Sequence, residues 1–144
     1  MSNDFSVRCA DWERDRESIR RVREAVFVIE QQVPVELEWD GVDADCTHVV
    51  AEDANGLPIG TGRLLPDGHI GRMAVLAAWR GRGVGSRLLT ALMGLAAQRG
   101  MREVALNAQT QAMPFYVRYG FVATGEEFLD AGIPHRTMRR SLVS

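Results

Sequence analysis

Residues 69–89 read HIGRMAVLAAWRGRGVGSRLL, and this stretch decides the fold: a strand over 69–75, an Arg/Gly-rich turn, then an amphipathic helix. In Arg80-Gly81-Arg82-Gly83-Val84-Gly85, three glycines remove side chains where the backbone has to come close to something. The first-turn N–H groups of a helix lack intrahelical partners and the helix dipole adds positive potential, so a glycine-rich turn opening a helix makes an anion site. Arg80 and Arg82 strengthen it, and a phosphate is the simplest occupant. Two familiar phosphate patterns are excluded by spacing. A P-loop needs Lys-Ser or Lys-Thr after its last glycine, and Gly85 is followed by Ser86-Arg87. A dinucleotide fingerprint, G-x-G-x-x-G, would need glycine at Ser86 or Leu88.

Outward from the turn, the bounds are those of an ordinary soluble protein. The 144 residues suit one domain, 1–144, with a substantial core, at 46% hydrophobic and 25% charged residues. A net charge of −2 argues against a general nucleic-acid binder, whereas basic residues gathered at 80–87 and 136–140 suit a discrete anionic ligand. Cys9 and Cys46 make no metal-ligand spacing with each other or with His48, His69 and His135, so no metal is expected. Both cysteines read as reduced, core or near-core thiols. No apolar run approaches a membrane span and residues 1–4 begin no signal peptide, so no membrane association and a cytoplasmic location are expected.

Periodicity supplies the remaining elements. A strand over 5–10 is followed by Asp11 as an N-cap and a helix over 12–29, whose apolar face is Ile19, Val22, Val26 and Ile29. Residues 30–45 are too acidic and irregular for core; they are either a solvated connection or a segment lining a site for a cationic substrate. Strands over 48–52, 59–65 and 69–75 are joined by the tight turns Asp53-Ala54-Asn55-Gly56 and Pro66-Asp67-Gly68, and so are antiparallel. The helix from Val84 ends at Arg99-Gly100, and a strand over 103–108 returns parallel to 69–75, opening a crevice outside the carboxyl ends of both. A short helix over 111–119 and strands over 121–128 and 136–142, connected by 129–135, complete the chain. The fold class is therefore α/β (α+β): a mixed sheet of about seven strands with about four helices on both faces.

The pattern Arg80-x-x-Gly83-x-Gly85 resembles the pyrophosphate loop of the GNAT superfamily of acyl-CoA-dependent N-acyltransferases. About one strand later, Ala112-Met113-Pro114-Phe115-Tyr116-Val117-Arg118-Tyr119-Gly120-Phe121 resembles the A-x-x-F-Y-x-x-x-G-F segment of the same family. The flanks VFVIEQQVP (26–34) and GIPH (132–135) resemble the YjcF/ElaA-like branch, so the likeness covers nearly the whole chain and implies the centrally splayed GNAT sheet.

That resemblance implies acetyl-CoA as cosubstrate. Main-chain groups of Met73, Ala74 and Val75 would pair with the pantetheine amides, while Arg80, Gly81, Arg82, Gly83, Val84 and Gly85 hold the pyrophosphate and Ser86 adds a hydroxyl. The side chains of Met73 and Val75 read as core. Asn107 and Gln109 either hold CoA amides or cap the following helix. Tyr116 occupies the general-acid position for the departing thiolate. The central strand offers no carboxylate, which leaves Glu36, Glu38 or His135 to take the amine proton through water, with Glu38 also a substrate-binding residue. Arg72 binds a substrate carboxylate or pairs with a neighbouring acid. A main-chain N–H near Ala74 or Val75 would face the developing oxyanion. The acceptor is then a primary amine on a small molecule or peptide, attacked directly with no acyl-enzyme, and a homodimer is one assembly open to the chain. The other function open to this sequence is a non-catalytic CoA-binding or regulatory module.

Overall fold

The computed structural model describes residues 4–143. Its elements run β1 Phe5–Ala10, α1 Trp12–Arg23, a π-helical segment Glu24–Glu30, α2 Val35–Glu38, β2 Thr47–Asp53, β3 Pro58–Leu64, β4 His69–Val75, α3 Val84–Gln98, β5 Glu103–Gln109, α4 Met113–Val117, β6 Val122–Asp130 and β7 Ile133–Ser141. They build the expected mixed sheet, in the order β1-β2-β3-β4-β5-β7-β6, with β4 and β5 parallel and the other neighbours antiparallel.

Both long helices form for legible reasons. Asp11 accepts the Glu13 N–H at 2.9 Å and opens α1. At the end of α3, Gly100 adopts φ +77°, its N–H reaching the Ala97 carbonyl and that of Met101 the Ala96 carbonyl, both at 3.0 Å. This Schellman closure is what Arg99-Gly100 predicts. The helix lies close on β3 because Gly60 and Gly62 offer no side chain; a Cβ there would meet Leu88 and Val84 at 3.0 Å, and Leu92 at 2.9 Å. On the opposite face Val22 and Val26 pack against Ala74.

Four expectations are corrected. Regular α-helix ends at Arg23, and the wider π coil that follows turns the apolar stripe, so Phe27 packs with Val22 and Val26 while Ile29 is 69% exposed. Residues 129–135 are no loose connection: β6 and β7 form a hairpin with Asp130 opposite Ile133, turned by Ala131 and Gly132 at φ +51° and +77°. Two positive φ values are the signature of a type I′ turn, disguised here by alanine where Asn or Asp is usual. Within 30–45, finally, Glu38 and Asp43 are buried. Cys9, expected at or near the core, is exposed.

Candidate functional site

β4 and β5 share only two residue pairs, His69 with Ala105 and Ile70 with Leu106, and then part. The cause lies in β4. Its register against β3 slips between Arg63↔Gly71 and Thr61↔Ala74, and Arg72 sits at φ +48°, a bulge that bends the strand away from β5. Beyond it, the Leu76 N–H reaches the Ile59 carbonyl at 2.9 Å, so strand alternation turns Ala74 to β3 as well and leaves the main-chain groups of Met73 and Val75 facing the gap. Of the three expected rail residues, Ala74 is thereby corrected: its main chain belongs to the sheet. The side chains of Met73 and Val75 are half-buried, packed against the core and at the same time lining the cleft wall.

The gap widens into a cleft of about 500 Å³. One end is the glycine turn, where Arg80 and Gly85 reach the lining. Gly81 and Gly83 hold φ +75° and +86° with nothing within 4 Å of a would-be Cβ, so the backbone before α3 lies bare to a ligand. The Val84 side chain is buried, leaving only its main chain to a ligand; Ser86 is half-buried in the first turn, and Arg82 lies over the Trp79 ring at 5.2 Å. Arg80 donates Nη1 and Nη2 to the Glu30 carboxylate at 2.6 and 2.7 Å, and Nε to the Val75 carbonyl at 3.0 Å. The guanidinium holds the Glu30 carboxyl below its ordinary value. A bare glycine backbone at a helix mouth, a cation and a strand edge outside the sheet ladder fit a diphosphate joined to an amide-bearing arm, as in coenzyme A.

Tyr116 stands on the cleft wall. Pro114 starts α4, and Phe115, Tyr119 and Phe121 pack around the Tyr116 ring and its neighbour. Its hydroxyl has a weak partner, the Met73 Sδ at 3.9 Å, and burial pushes its pKa up to about 12.

The other end is closed by α2 and the β6–β7 hairpin, which contribute Leu37, Glu38, Asp130, Ala131, Ile133 and His135. Glu38 accepts from Arg23 Nε at 2.6 Å, with both side chains nearly inaccessible, and its second oxygen faces Arg72 Nε at 3.4 Å. Burial pushes the Glu38 carboxyl above its ordinary value in spite of these cations. Asp43 bridges Arg23 and Arg63 at 2.7 and 2.8 Å; burial pushes it up, the two guanidinium groups outweigh that, and it lies below its ordinary value. Hydrogen bonding from Arg63 holds Asp40 at about 2. Three arginines thus face three acids, and Arg72 takes the acid-pairing role of its two readings.

The remaining expected residues separate. Glu36 is exposed and outside the cleft lining. His135 is on β7, not in a turn; its Nδ1 lies 2.6 Å from the Ile133 carbonyl and its ring stacks on Phe128. Asn107 lines the cleft and accepts from Thr137 Oγ1 at 2.9 Å, while Gln109 donates to Gln31 at 3.0 Å. Among the described residues no group of three or more His, Cys, Asp or Glu is placed to hold a metal, and no helix is long and apolar enough to cross a membrane.

A family model described as an acetyltransferase (GNAT) domain matches residues 15–142. The chain belongs to the GNAT acetyltransferase family. It is 46% identical over 123 residues to the uncharacterized N-acetyltransferase YjcF of Bacillus subtilis, covering 83% of this chain and 87% of that one. Among solved structures, an acyl-CoA N-acyltransferase from Pseudomonas aeruginosa superposes with a TM-score of 0.84 at 33% identity, covering 95% of this chain and 99% of that one. Escherichia coli ElaA superposes with a TM-score of 0.84 at 28% identity, covering 94% and 99%.

The sequence reading passed over Arg23 and Arg63, and met Glu30 only within the acidic segment 30–45 and Gln31 only within the flank 26–34. The two arginines carried a signal. Arg23 stands four residues after Ile19 on the apolar face of α1, and Arg63 interrupts a strand that is otherwise buried, so each needed an acid brought to it. The partners of Glu30 and Gln31 were not legible, because their reach depends on the π coil.

Proposed function

We propose that this GNAT protein moves an acetyl group from acetyl-CoA directly to a primary amine of a small molecule or peptide. The observation that carries the reading is the parting of β4 from β5, which leaves the Met73 and Val75 main-chain groups outside the sheet ladder, between a bare glycine turn and the Tyr116 hydroxyl. When bound, acetyl-CoA supplies a thioester carbonyl open to attack and a thiol leaving group. Every other part belongs to the chain. The turn from Arg80 to Gly85 grips the diphosphate, Met73 and Val75 align the pantetheine arm, and a main-chain N–H facing the gap donates to the acyl oxygen as charge develops there.

Three proton transfers are then needed. Glu38, rather than Glu36 or His135, takes the first from the substrate ammonium, directly or through a water, and the neutral amine attacks. Glu38 lines the cleft, burial raises its basicity, and Arg23 fixes its orientation. Tyr116 keeps its proton at neutral pH and gives it to the departing sulfur, and the second N–H proton of the adduct returns to the phenolate; a thioether is too weak an acceptor to hold that hydroxyl back. The non-catalytic alternative drew on the missing strand carboxylate, and Glu38 on the facing wall supplies one.

The test is thiol release from acetyl-CoA with a panel of primary amines, alongside calorimetry with coenzyme A. Turnover with one amine class that falls on Tyr116→Phe, while coenzyme A affinity holds, supports the reading. Tight binding with no thiol release across a broad panel selects the non-catalytic module, and no binding at all removes both.

A further inference from the structure

The π-helical arm ends in two residues that reach over the cofactor cleft to opposite lips. Glu30 holds both terminal nitrogens of Arg80 at 2.6 and 2.7 Å, on the lip formed by β4 and the glycine turn. Gln31 accepts from Gln109 Nε2 at 3.0 Å, on the β5 lip. The Arg80 Nε, meanwhile, is spent on the Val75 carbonyl at 3.0 Å. Two of these partners are groups the proposed function assigns to coenzyme A, the guanidinium to its diphosphate and Val75 to its pantetheine arm, and the Gln109 amide is open to the same arm in one of its two sequence readings. A carboxylate fills an arginine fork with the same planar pair of oxygens that a phosphate offers. The Glu30 and Arg80 side chains are 43% and 42% exposed, so the pair has the strength of a surface ion pair and an incoming diphosphate can reach it.

We propose that Glu30 is a built-in competitor of the coenzyme A diphosphate for Arg80, occupying the fork while the cleft is empty and retaking it as spent coenzyme leaves. The inference rests on the coenzyme A reading above. Glu30 touches neither acyl group nor acceptor; it acts through Arg80, as a positioning residue that keeps cofactor affinity low and product release fast.

The experiment is calorimetry and stopped-flow dissociation with coenzyme A on the wild type, Glu30→Gln, Arg80→Ala and the double variant. A surface pair accounts for about a threefold to fivefold change in an equilibrium constant. Glu30→Gln is therefore expected to lower the coenzyme A Kd and its dissociation rate constant by about that factor at low salt, and to change neither in the Arg80→Ala background. Unchanged or weaker binding by Glu30→Gln overturns the proposal, because Glu30 then holds Arg80 ready rather than withholding it. An equal gain in the Arg80→Ala background also overturns it, since removing one negative charge near the diphosphate would then suffice. A wild type that binds no coenzyme A defeats the parent reading as well, whereas wild-type binding with either overturning result defeats the competitor alone.

Discussion

Burial acts on Tyr116 and Glu38 in the same direction, raising both pKa values, yet the consequences for catalysis are opposite. As the proposed base, Glu38 would work only when ionised, so activity is expected to be lost as pH falls through its raised pKa, a limb displaced above the ordinary carboxyl value of 4.5. As the proposed acid, Tyr116 would work only when protonated, and its limb is displaced to about 12, beyond the useful range. The kcat/KM profile of the wild type should accordingly show one enzyme limb, on the acid side. Glu38→Gln should erase that limb and lower the plateau by about 10²–10⁴-fold; survival of the limb in this variant would assign the base elsewhere. Arg23 supports Glu38 and Asp43 from a position only 1% exposed. Arg23→Met would remove one of the two cations facing each of two buried carboxylates, leaving Glu38 to Arg72 and Asp43 to Arg63, and is expected to cost about 3–5 kcal/mol in urea unfolding. A loss well under 1 kcal/mol would mean that Arg63 and Arg72 suffice.

Among the elements, α3 packs close on β3, and the approach rests on two glycines that no pattern in the sequence singled out. At Gly62 a side chain would collide with Leu92 at 2.9 Å and the Met73 Cγ at 3.2 Å, one a core residue and the other a wall of the cleft. Gly62→Val is expected to cost about 1–3 kcal/mol through overpacking and to raise the KM for acetyl-CoA by displacing Met73; a thermal melt and a cofactor titration check the two halves separately. The elements that could be read from sequence are those whose signals are local. The cap at Asp11, the Arg99-Gly100 stop and the two polar hairpin turns declare themselves within a few residues. The π coil after Arg23 and the Ala131-Gly132 turn do not, because a shift in helical pitch and a positive φ at alanine are imposed by what those segments pack against. The cofactor half of the site was legible for the same reason, being one contiguous turn. The half at α2 was less legible: it is assembled from α1, α2, β3 and β4, and its acids stay open between a solvated connection and a site wall until Arg23, Arg63 and Arg72 are seen facing them.

In the whole molecule, the sheet is two halves, β1–β4 and β5–β7, that meet along only two residue pairs and are otherwise joined through α3 and the core it covers. A ligand that occupies the gap bridges those halves and binds the folded state alone, so it must raise the stability of the whole chain. At a coenzyme A concentration 100 times its Kd the gain is about 2.7 kcal/mol, which for a chain of this size is a rise of about 5–10 °C in Tm. Gly83→Asp isolates the cause. Its Cβ would meet nothing within 4 Å, aspartate tolerates the left-handed region better than most residues, and at the N-cap of α3 its carboxylate favours the helix dipole. The unliganded Tm should therefore stay within a few degrees of the wild type. The same carboxylate would lie where the proposed function seats the diphosphate, so the rise on adding coenzyme A should disappear. A variant that keeps the full shift would show that the turn before α3 is not what binds the diphosphate, and that the halves are bridged from somewhere else.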